Sequence, residues 1–468
     1  MATLIRSGRI VTAVDDYVAD ILIDGGRICR IGTDLAVGGD VAVHDAAGLL
    51  VLPGGVDVHT HLDSATPTAT TIDDFGSGTM AAAFGGTTTV VDYCTPLRGQ
   101  SLLSGLEDWH RRRQNACVDV GAHMIVLDAE PNTLQEMKSL VRQEGISSFK
   151  FFMAYPGALM VDDGALLTAM RVAGASGALS CVHAENGHAI QALVRDALAS
   201  GQTAPRFHAL TRPAALEGEA AQRAIHLAAL ADAPLYVVHL STAQALAAVA
   251  DARQQGLRVH AETCPQYLFL NADEYDRPGF EVAKFVMSPP LREPAHPPLL
   301  MGGLARGDIE VVATDHCAFC FDEQPHGMRF SKQLGTGSFN RIPSGAPGIE
   351  TRLSLLHDGA VLQRKMSLNR FVEVIATAPA KLFGLFPKKG TVAVGSDADL
   401  VLFDPGEAWA VRAAQHHSRS DYTLYEGREL IGKVKKVFLR GQCIVDGATW
   451  LGKEGAGEFL RRAESGCN

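Results

Sequence analysis

Eight short apolar runs, each ending in polar residues, recur through the middle of the chain. They are GVDVHTHLD from 55, GTTTVVDY from 86, VGAHMIVLDAE from 120, SSFKFFMAY from 147, ALSCVHAEN from 178, PLYVVHLS from 234, LRVHAETCP from 257 and IEVVATDHC from 309. Ala- and Leu-rich stretches such as EGEAAQRAIHLAALADA lie between them and suit helices. Apolar strands that alternate with helices predict a parallel sheet covered by helices, and eight such units predict a (β/α)8 barrel. A doubly wound open sheet is the alternative, but no G-x-G-x-x-G motif follows any run.

Both ends of the chain show a different pattern. Residues 1–50 and the part from about 390 onwards consist of short alternating segments separated by glycines, such as ADILIDGGRICRIG and GTVAVGSDADLVLFDP. We expect the two ends to pack together as one small β-sheet domain, with the larger domain inserted between them.

Composition and charge exclude several classes of protein. The 468 residues are 47% hydrophobic and 20% charged, and the net charge of −10 leaves no dominant basic patch, so nucleic acid is not expected as a partner. No uncharged apolar run reaches the roughly 18 residues of a membrane span, and the N-terminus does not have the pattern of a signal peptide. Nine scattered cysteines favour a reducing cytoplasm over a disulfide framework. The count of 17 histidines makes metal chemistry worth testing.

Polar residues fall at the carboxyl ends of the predicted strands, which form the active-site face of such a barrel. They are His59, His61, Lys150, His183, His239 and Asp315. His59 and His61 share one face of their strand because residues i and i+2 point the same way. One H-x-H pair is a weak signal, but four histidines and an aspartate at strand ends predict a metal site.

Lys150 lies among Phe149, Phe151 and Phe152, where an unpaired ammonium would be costly to bury. Desolvation and neighbouring cations both favour the neutral amine. A neutral amine can add carbon dioxide to become a carbamate, and the two oxygens of a carbamate can bridge two metals. A salt-bridged or snorkelling lysine is the alternative, which the nearby histidines disfavour.

The chain resembles the cyclic amidohydrolases, in the branch of D-hydantoinases and dihydropyrimidinases. The motifs that carry this resemblance extend over essentially the whole chain: PGGVDVHTHLD, AAAFGGTTTVVDYC, SSFKFFMAYPG, VHAENG, HALTRP, ETCPQYLFL, MSPPLR, ATDHC, PAKLFGLFPKKGTVAVGSDADLV and DYTLYEG. The resemblance implies a metal-containing barrel over 53–388, a β-sandwich from 1–52 and 389–455, and a C-terminal tail over 456–468. It also implies a cytosolic homotetramer that hydrolyses a cyclic amide.

The resemblance also assigns the site residues. It implies that one zinc is held by His59, His61, carbamylated Lys150 and Asp315, and that a second is held by His183, His239 and the same Lys150. Manganese or cobalt could replace zinc. A hydroxide bridging the metals would attack the ring carbonyl, with Asp315 as general base and then acid. Tyr155 would donate to the oxyanion, Ser288 and the backbone near Ser344 would bind the ring amide, and the product would be an N-carbamoyl amino acid.

The chain departs from the family pattern at three places: the loop 64–71, the irregular segment 319–341, and Ser344, where relatives carry Asn. These changes leave the substrate range and the enantiomer preference open. Hydantoins, dihydropyrimidines or both are the expected substrates; an allantoinase-like or dihydroorotase-like activity and a non-catalytic scaffold are the alternatives. We interpret the CAFC sequence of Cys317 and Cys320 as coincidence, and His316 as structural rather than a ligand. His416 and His417 receive no role.

Overall fold

The structure is a computed structural model that describes residues 2–36, 38–65, 69–323, 325–463 and 465. Three residues of the divergent loop 64–71, namely Thr66, Pro67 and Thr68, lie outside the described residues. The same holds for Gln324 within 319–341, and for 464 and 466–468 of the predicted tail.

A mostly antiparallel sheet of nine strands is built from both ends of the chain. The N-terminal part supplies β1 (Ala2–Val11), β2 (Asp16–Asp24), β3 (Arg27–Gly32), β4 (Val41–Asp45) and β5 (Leu50–Pro53). The partner strand of β5 comes from the other end of the chain, where Leu402 lies opposite Val51 in antiparallel register. The prediction that the two ends form one β-sheet domain is therefore confirmed, whereas its exact limits stay a prediction.

Eight parallel strands form the barrel, and each overlaps one of the eight predicted runs. They are β6 (Gly55–Thr60), β7 (Thr87–Cys94), β8 (Asp119–Ile125), β9 (Ser148–Phe152), β10 (Leu179–His183), β11 (Leu235–Val237), β12 (Val259–Thr263) and β13 (Val311–Val312). The strands pair in chain order from β6 to β13, as in a (β/α)8 barrel. The chain returns to the first sheet with β14 (Leu400–Ala410), β15 (Glu429–Leu439), β16 (Gln442–Asp446) and β17 (Thr449–Trp450).

Helices alternate with the barrel strands. They are α1 (Phe75–Phe84), α2 (Leu102–Arg112), α3 (Pro131–Ser139), α4 (Asp163–Ala175), α5 (Gly187–Ala199), α6 (Phe207–Leu210), α7 (Ala214–Ala231), α8 (Ala243–Gln254), α9 (Pro265–Phe269), α10 (His296–Arg306), α11 (Arg352–Leu356), α12 (Leu368–Val372) and α13 (Ala378–Leu382). Several begin at a side chain that accepts a first-turn N–H, as Asp74 does from Ser77. None of the described helices is long and apolar enough to cross a membrane.

The barrel closes between its first and last strands through single contacts. Thr60 and His316 form a parallel bridge, and the backbone N–H of His61 donates to the carbonyl of His316 at 2.9 Å. The hydroxyl of Thr314 donates to the Asp57 carboxylate at 2.6 Å. These contacts bring the segment after β13 next to the end of β6, where two candidate ligands lie.

Buried ion pairs join the β-sheet domain to the amino end of β8. The Lys389 ammonium lies 2.6 Å from Asp119 and 2.7 Å from Asp399, and Arg440 also pairs with Asp119. The C-terminal segment adds a hydrogen bond of 2.8 Å from the Leu460 N–H to the carbonyl of Val120. The sheet domain is thus anchored at the end of the barrel opposite to the carboxyl ends of the strands.

Candidate metal centre and active site

The six predicted ligand residues converge at the carboxyl end of the barrel strands. His59 is in β6 and His61 follows it, Lys150 is in β9, His183 ends β10, His239 follows β11, and Asp315 follows β13. Four of the six lie at or just after the end of a strand, whereas His59 precedes the last residue of β6 and Lys150 is the middle residue of β9. The order of the strands around the barrel, rather than nearness in the chain, brings the six together.

His59, His61 and Asp315 form one half of the site. Their candidate ligand atoms all lie within 4.8 Å of one another. The Nε2 atom of His59 is 3.2 Å from Oδ1 of Asp315, and Nε2 of His61 is 3.3 Å from the same oxygen. Two imidazole nitrogens and a carboxylate oxygen at this spacing form a donor set that suits zinc and other divalent transition metals.

His183 and His239 form the other half. Nδ1 of His183 lies 2.9 Å from Nε2 of His239. The ring of His239 is 5.2 Å from the ring of His59, measured between centroids, so the two halves are adjacent. Burial lowers the pKa of both His183 and His239, which keeps their imidazoles neutral and their lone pairs available.

Lys150 is buried beside these ligands. Its side chain is 1% exposed, and its Nζ lies 4.7 Å from the centroid of the Tyr93 ring and 5.2 Å from that of Phe152. Within the described part of the chain, no acidic side chain forms an ion pair with Nζ. Burial lowers the pKa of Lys150 to about 8. A lysine in this setting supplies the neutral amine that carbamate formation needs.

Unsatisfied polar atoms test whether the site suits a cation. Nε2 of His59 and Nδ1 of His239 are buried and have no hydrogen-bond partner among the described residues. Nδ1 of His59 donates to Glu262, so the lone pair of Nε2 faces the carboxylate of Asp315. A lone pair facing a carboxylate is unfavourable unless a proton or a metal lies between them. The donor set therefore fits a metal cation.

Glu262, in β12, supports ligands from both halves and was not among the residues predicted from the sequence. One carboxylate oxygen accepts from Nδ1 of His59 and, at 3.1 Å, from the backbone N–H of His239. The other oxygen accepts from the Tyr236 hydroxyl at 2.9 Å. Such contacts fix the tautomer and orientation of a ligating histidine. The available signal was a carboxylate near the end of the seventh apolar run.

A second carboxylate lies behind the other half of the site. Nε2 of His183 donates to Glu185 at 2.7 Å, and Arg212 donates to the same carboxylate oxygen at 2.9 Å. The donated bond leaves Nδ1 of His183 with its lone pair directed at His239. The VHAEN segment thus contains both a candidate ligand and the group that orients it.

Three of the site residues adopt left-handed backbone conformations. The φ angles are +64° at Tyr155, +39° at His239 and +51° at Asp315. Such angles are costly for residues other than glycine and concentrate at functional sites. The conformations redirect each side chain at the point where the chain leaves its strand.

The expected substrate-binding residues line one side of the site. The hydroxyl oxygens of Ser288 and Ser344 lie 2.9 Å apart, and Ser288 Oγ is 3.2 Å from Nε2 of His208. The ring of Tyr155 is 5.4 Å from that of His183. Burial raises the pKa of Tyr155 to about 12, so its hydroxyl remains a hydrogen-bond donor at neutral pH. A cavity of about 260 Å³ borders Tyr155, His208 and Ser344.

The remaining candidates have other partners. His316 pairs with Asp73 at 3.0 Å and accepts from the N–H of Gly348 through its other nitrogen. Cys317 and Cys320 are both free thiols. His417 pairs with Glu350 at 2.8 Å.

Comparisons with known proteins agree with this geometry. The model of the family described as "Amidohydrolase family" matches residues 50–444. The chain belongs to the amidohydrolase family. It is 48% identical to a D-hydantoinase of Streptomyces coelicolor over 98% of both chains, and 39% identical to a dihydropyrimidinase of Arabidopsis thaliana over 94% of this chain and 82% of the relative.

Solved structures of this amidohydrolase branch share the architecture. The dihydropyrimidinase from Brevibacillus agri superimposes with a TM-score of 0.97 at 47% identity, over 99% of both chains. The D-hydantoinase from a Bacillus species superimposes with a TM-score of 0.96 at 46% identity, again over 99% of both. The predicted fold and the resemblance are therefore confirmed, and the chain is a cyclic amidohydrolase.

Proposed function

We propose that this amidohydrolase opens cyclic ureides, namely 5-substituted hydantoins, dihydropyrimidines or both, to N-carbamoyl amino acids. The observation that carries the proposal is the convergence of four histidines, an aspartate and a buried lysine at the carboxyl end of the barrel. The names of the relatives, D-hydantoinase and dihydropyrimidinase, support this choice of substrate class.

Two divalent metal ions, with zinc as the first candidate, complete the proposed site. His59, His61 and Asp315 would hold one ion, and His183 and His239 the other. Lys150, as its carbamate, would contact both. When bound, such ions lower the pKa of water toward neutrality and polarise a carbonyl oxygen.

Asp315 is the proposed proton carrier of the reaction. Burial alone would raise the pKa of the Asp315 carboxyl. The neighbouring His59 and His61 outweigh burial, and the pKa lies well below its usual range. The carboxylate is therefore ionised and can accept a proton from the attacking water. It then returns that proton to the departing ring nitrogen, as general base and then general acid.

Tyr155 and the two serines are proposed to bind the ring. The Tyr155 hydroxyl, protonated at neutral pH, donates to the carbonyl oxygen as negative charge develops on it. Ser288 offers its hydroxyl, and Ser344 its backbone, to the ring amide. The homotetramer and the cytoplasmic location implied by the resemblance stay predictions.

The decisive assay compares the ring opening of dihydrouracil and of a 5-aryl hydantoin by the zinc-loaded enzyme, with chiral analysis of the carbamoyl product. Turnover of either ring supports the proposal, and the ratio of the two rates assigns the preferred ring. Asp315→Asn, which keeps the side-chain shape, is the matched inactive control.

Failure on both rings in a metal-loaded protein would overturn the proposal. It would favour allantoin or dihydroorotate as the next substrates to test. A protein that retains no metal and gains no activity on addition of zinc would instead point to a non-catalytic scaffold.

A further inference from the structure

Lys332 is a fully buried lysine outside the metal site, in the irregular segment 319–341. Its relative exposure is 0%, and it begins a short 3-10 turn, Lys332–Gly335. Its ammonium donates three hydrogen bonds to backbone carbonyls: to Val286 at 2.7 Å, to Pro343 at 2.7 Å and to Gly345 at 2.6 Å. No acidic side chain in the described part of the chain forms an ion pair with it.

The environment of Lys332 differs from that of the other two fully buried lysines. Lys389 is neutralised by carboxylates, and Lys150 has no hydrogen-bond acceptor among the described residues. Burial lowers the pKa of Lys332 to about 7. Hydrogen bonds from an amine to carbonyl oxygens favour its charged form. A neutral amine has only two hydrogens to donate, so three donated bonds require the ammonium form.

The three acceptors lie directly behind the two serines of the substrate site. Val286 comes two residues before Ser288, and Pro343 and Gly345 flank Ser344. The two segments also contact each other directly, since the Gly345 N–H donates to the Val286 carbonyl at 3.1 Å. Lys332 therefore joins the backbones of both segments, while their serine hydroxyls meet in front, 2.9 Å apart.

Close packing and the bonds to Lys332 hold the Ser344 segment in place. Gly345 adopts φ +152°, and a Cβ added there would collide with the carbonyl oxygen of Cys317. The segment is thus enclosed by Cys317 on one side and by the Lys332 ammonium on another. Loss of the ammonium would leave the buried carbonyls of Pro343 and Gly345 without a donor and that of Val286 with only the Gly345 N–H, and the two segments would move apart or admit water.

We propose that Lys332 is a positioning residue that sets the spacing of Ser288 and Ser344 and thereby the binding of the ring amide. The proposal rests on the proposed function, because it assumes that these two serines contact the substrate. The proposal assigns a role to the divergent segment 319–341. That segment supplies Lys332, which bonds to the backbones of the segments that contain Ser288 and Ser344.

The test replaces the ammonium with an apolar chain of similar length, Lys332→Met. We expect KM for the preferred ring to rise about tenfold or more, with a smaller change in kcat. A rise of this size corresponds to the binding free energy of about one to two hydrogen bonds between the enzyme and the ring. The bound metal should equal that of the wild type, because no proposed metal ligand contacts Lys332.

Lys389→Met is the matched control, since Lys389 is also a buried lysine but belongs to the ion pairs at the other end of the barrel. It should lower Tm and leave KM within about twofold, as expected for a purely structural lysine. A rise in KM confined to Lys332→Met supports a positioning role. An unchanged KM in folded, metal-loaded Lys332→Met would overturn it.

Lys332→Gln provides a milder variant if Lys332→Met does not fold. The amide keeps two donor hydrogens, so KM should rise by less than in a variant without donors. An unchanged KM in this variant would also count against the proposal. A double-mutant cycle with Ser288→Ala adds a second check, because Ser288 is proposed to bind the ring through its hydroxyl, and the KM effects should be non-additive if Lys332 acts through Ser288. Inactivity of the wild type on both rings would instead refute the proposed function itself, and this proposal with it.

Discussion

Single carboxylates orient the candidate metal ligands. Glu262 bonds to the imidazole of His59 and to the backbone of His239, and thus connects the two halves of the site. Glu262 is fully buried, and its two carboxylate oxygens accept from three donors: the His59 imidazole, the His239 N–H and the Tyr236 hydroxyl. Such a carboxylate also raises the basicity of the histidine that it contacts, which strengthens the bond from that histidine to a metal.

We expect Glu262→Gln to lower metal affinity or activity by about 10- to 100-fold, since the amide keeps the shape but loses the charge behind His59. Metal content by atomic spectroscopy and kcat with saturating zinc separate the two effects. Glu310→Gln is a matched control, because Glu310 also contacts a histidine, His260, at 3.0 Å. His260 is in β12 like Glu262, but it lies nearer the amino end of that strand. Equal metal content and kcat in Glu262→Gln and the wild type would show that the contact is dispensable.

The sequence allowed the six candidate ligands to be named because each lies within or just after one of the eight apolar runs. The supporting residues could not be named in the same way. Glu262 acts on His59, which is 203 positions away in the chain, and Lys332 acts on carbonyls, which carry no sequence signature. A side chain whose role depends on backbone acceptors from distant segments becomes visible only when those segments have been placed.

At the scale of elements, closure of the barrel depends on Arg352 as much as on strand pairing. Arg352 begins α11 and is fully buried. Its guanidinium donates to the carbonyls of Val56 and Val312 at 3.0 Å each, and to the hydroxyl of Thr87 at 2.9 Å. It thus connects the first and last strands, where β13 contributes only two residues to the ladder.

Replacing Arg352 with Met should lower the free energy of unfolding by roughly 3 kcal/mol or more, since two buried carbonyls lose a donor at about 1–3 kcal/mol each. Thermal unfolding followed by circular dichroism measures the effect as a lower Tm. Arg412→Met, which removes a half-exposed pair with Glu426, should change stability by less than about 1 kcal/mol. Similar Tm values for the two variants would contradict the closing role of Arg352.

The apolar runs predicted all eight barrel strands, because a strand buried on both faces leaves a continuous hydrophobic signal. They did not predict how the ring closes. Closure depends on the hydrogen bond between Asp57 and Thr314 and on the bonds of Arg352, which lies beyond the last barrel strand. The bonds from Thr314 to Asp57 and from Arg352 to Val56 each join residues more than 200 positions apart in the chain. The sequence thus predicted the strands and their order, but not the contacts that close the barrel between its first and last strands.

At the scale of the whole molecule, the candidate ligands connect distant parts of one barrel. They come from five of its eight strands or from the residues that directly follow them: β6, β9, β10, β11 and β13. The N- and C-terminal strands meet in the second sheet at the opposite end, through β5 and β14. A metal bound by these ligands would therefore add contacts between strands that already belong to one folded unit.

Removal of metal should consequently destabilise the entire barrel. The variant Lys150→Ala, which should bind little metal, is the control. A ligand that binds only the folded state stabilises it by about 2.7 kcal/mol at a free concentration of 100 Kd. We expect a chelator to abolish activity and lower the Tm of the wild type, and added zinc to restore both. Lys150→Ala should be inactive and metal-poor, with a Tm that responds little to zinc, whereas Lys332→Met should respond as the wild type does. Full activity and metal content in Lys150→Ala would refute the bridging role of Lys150.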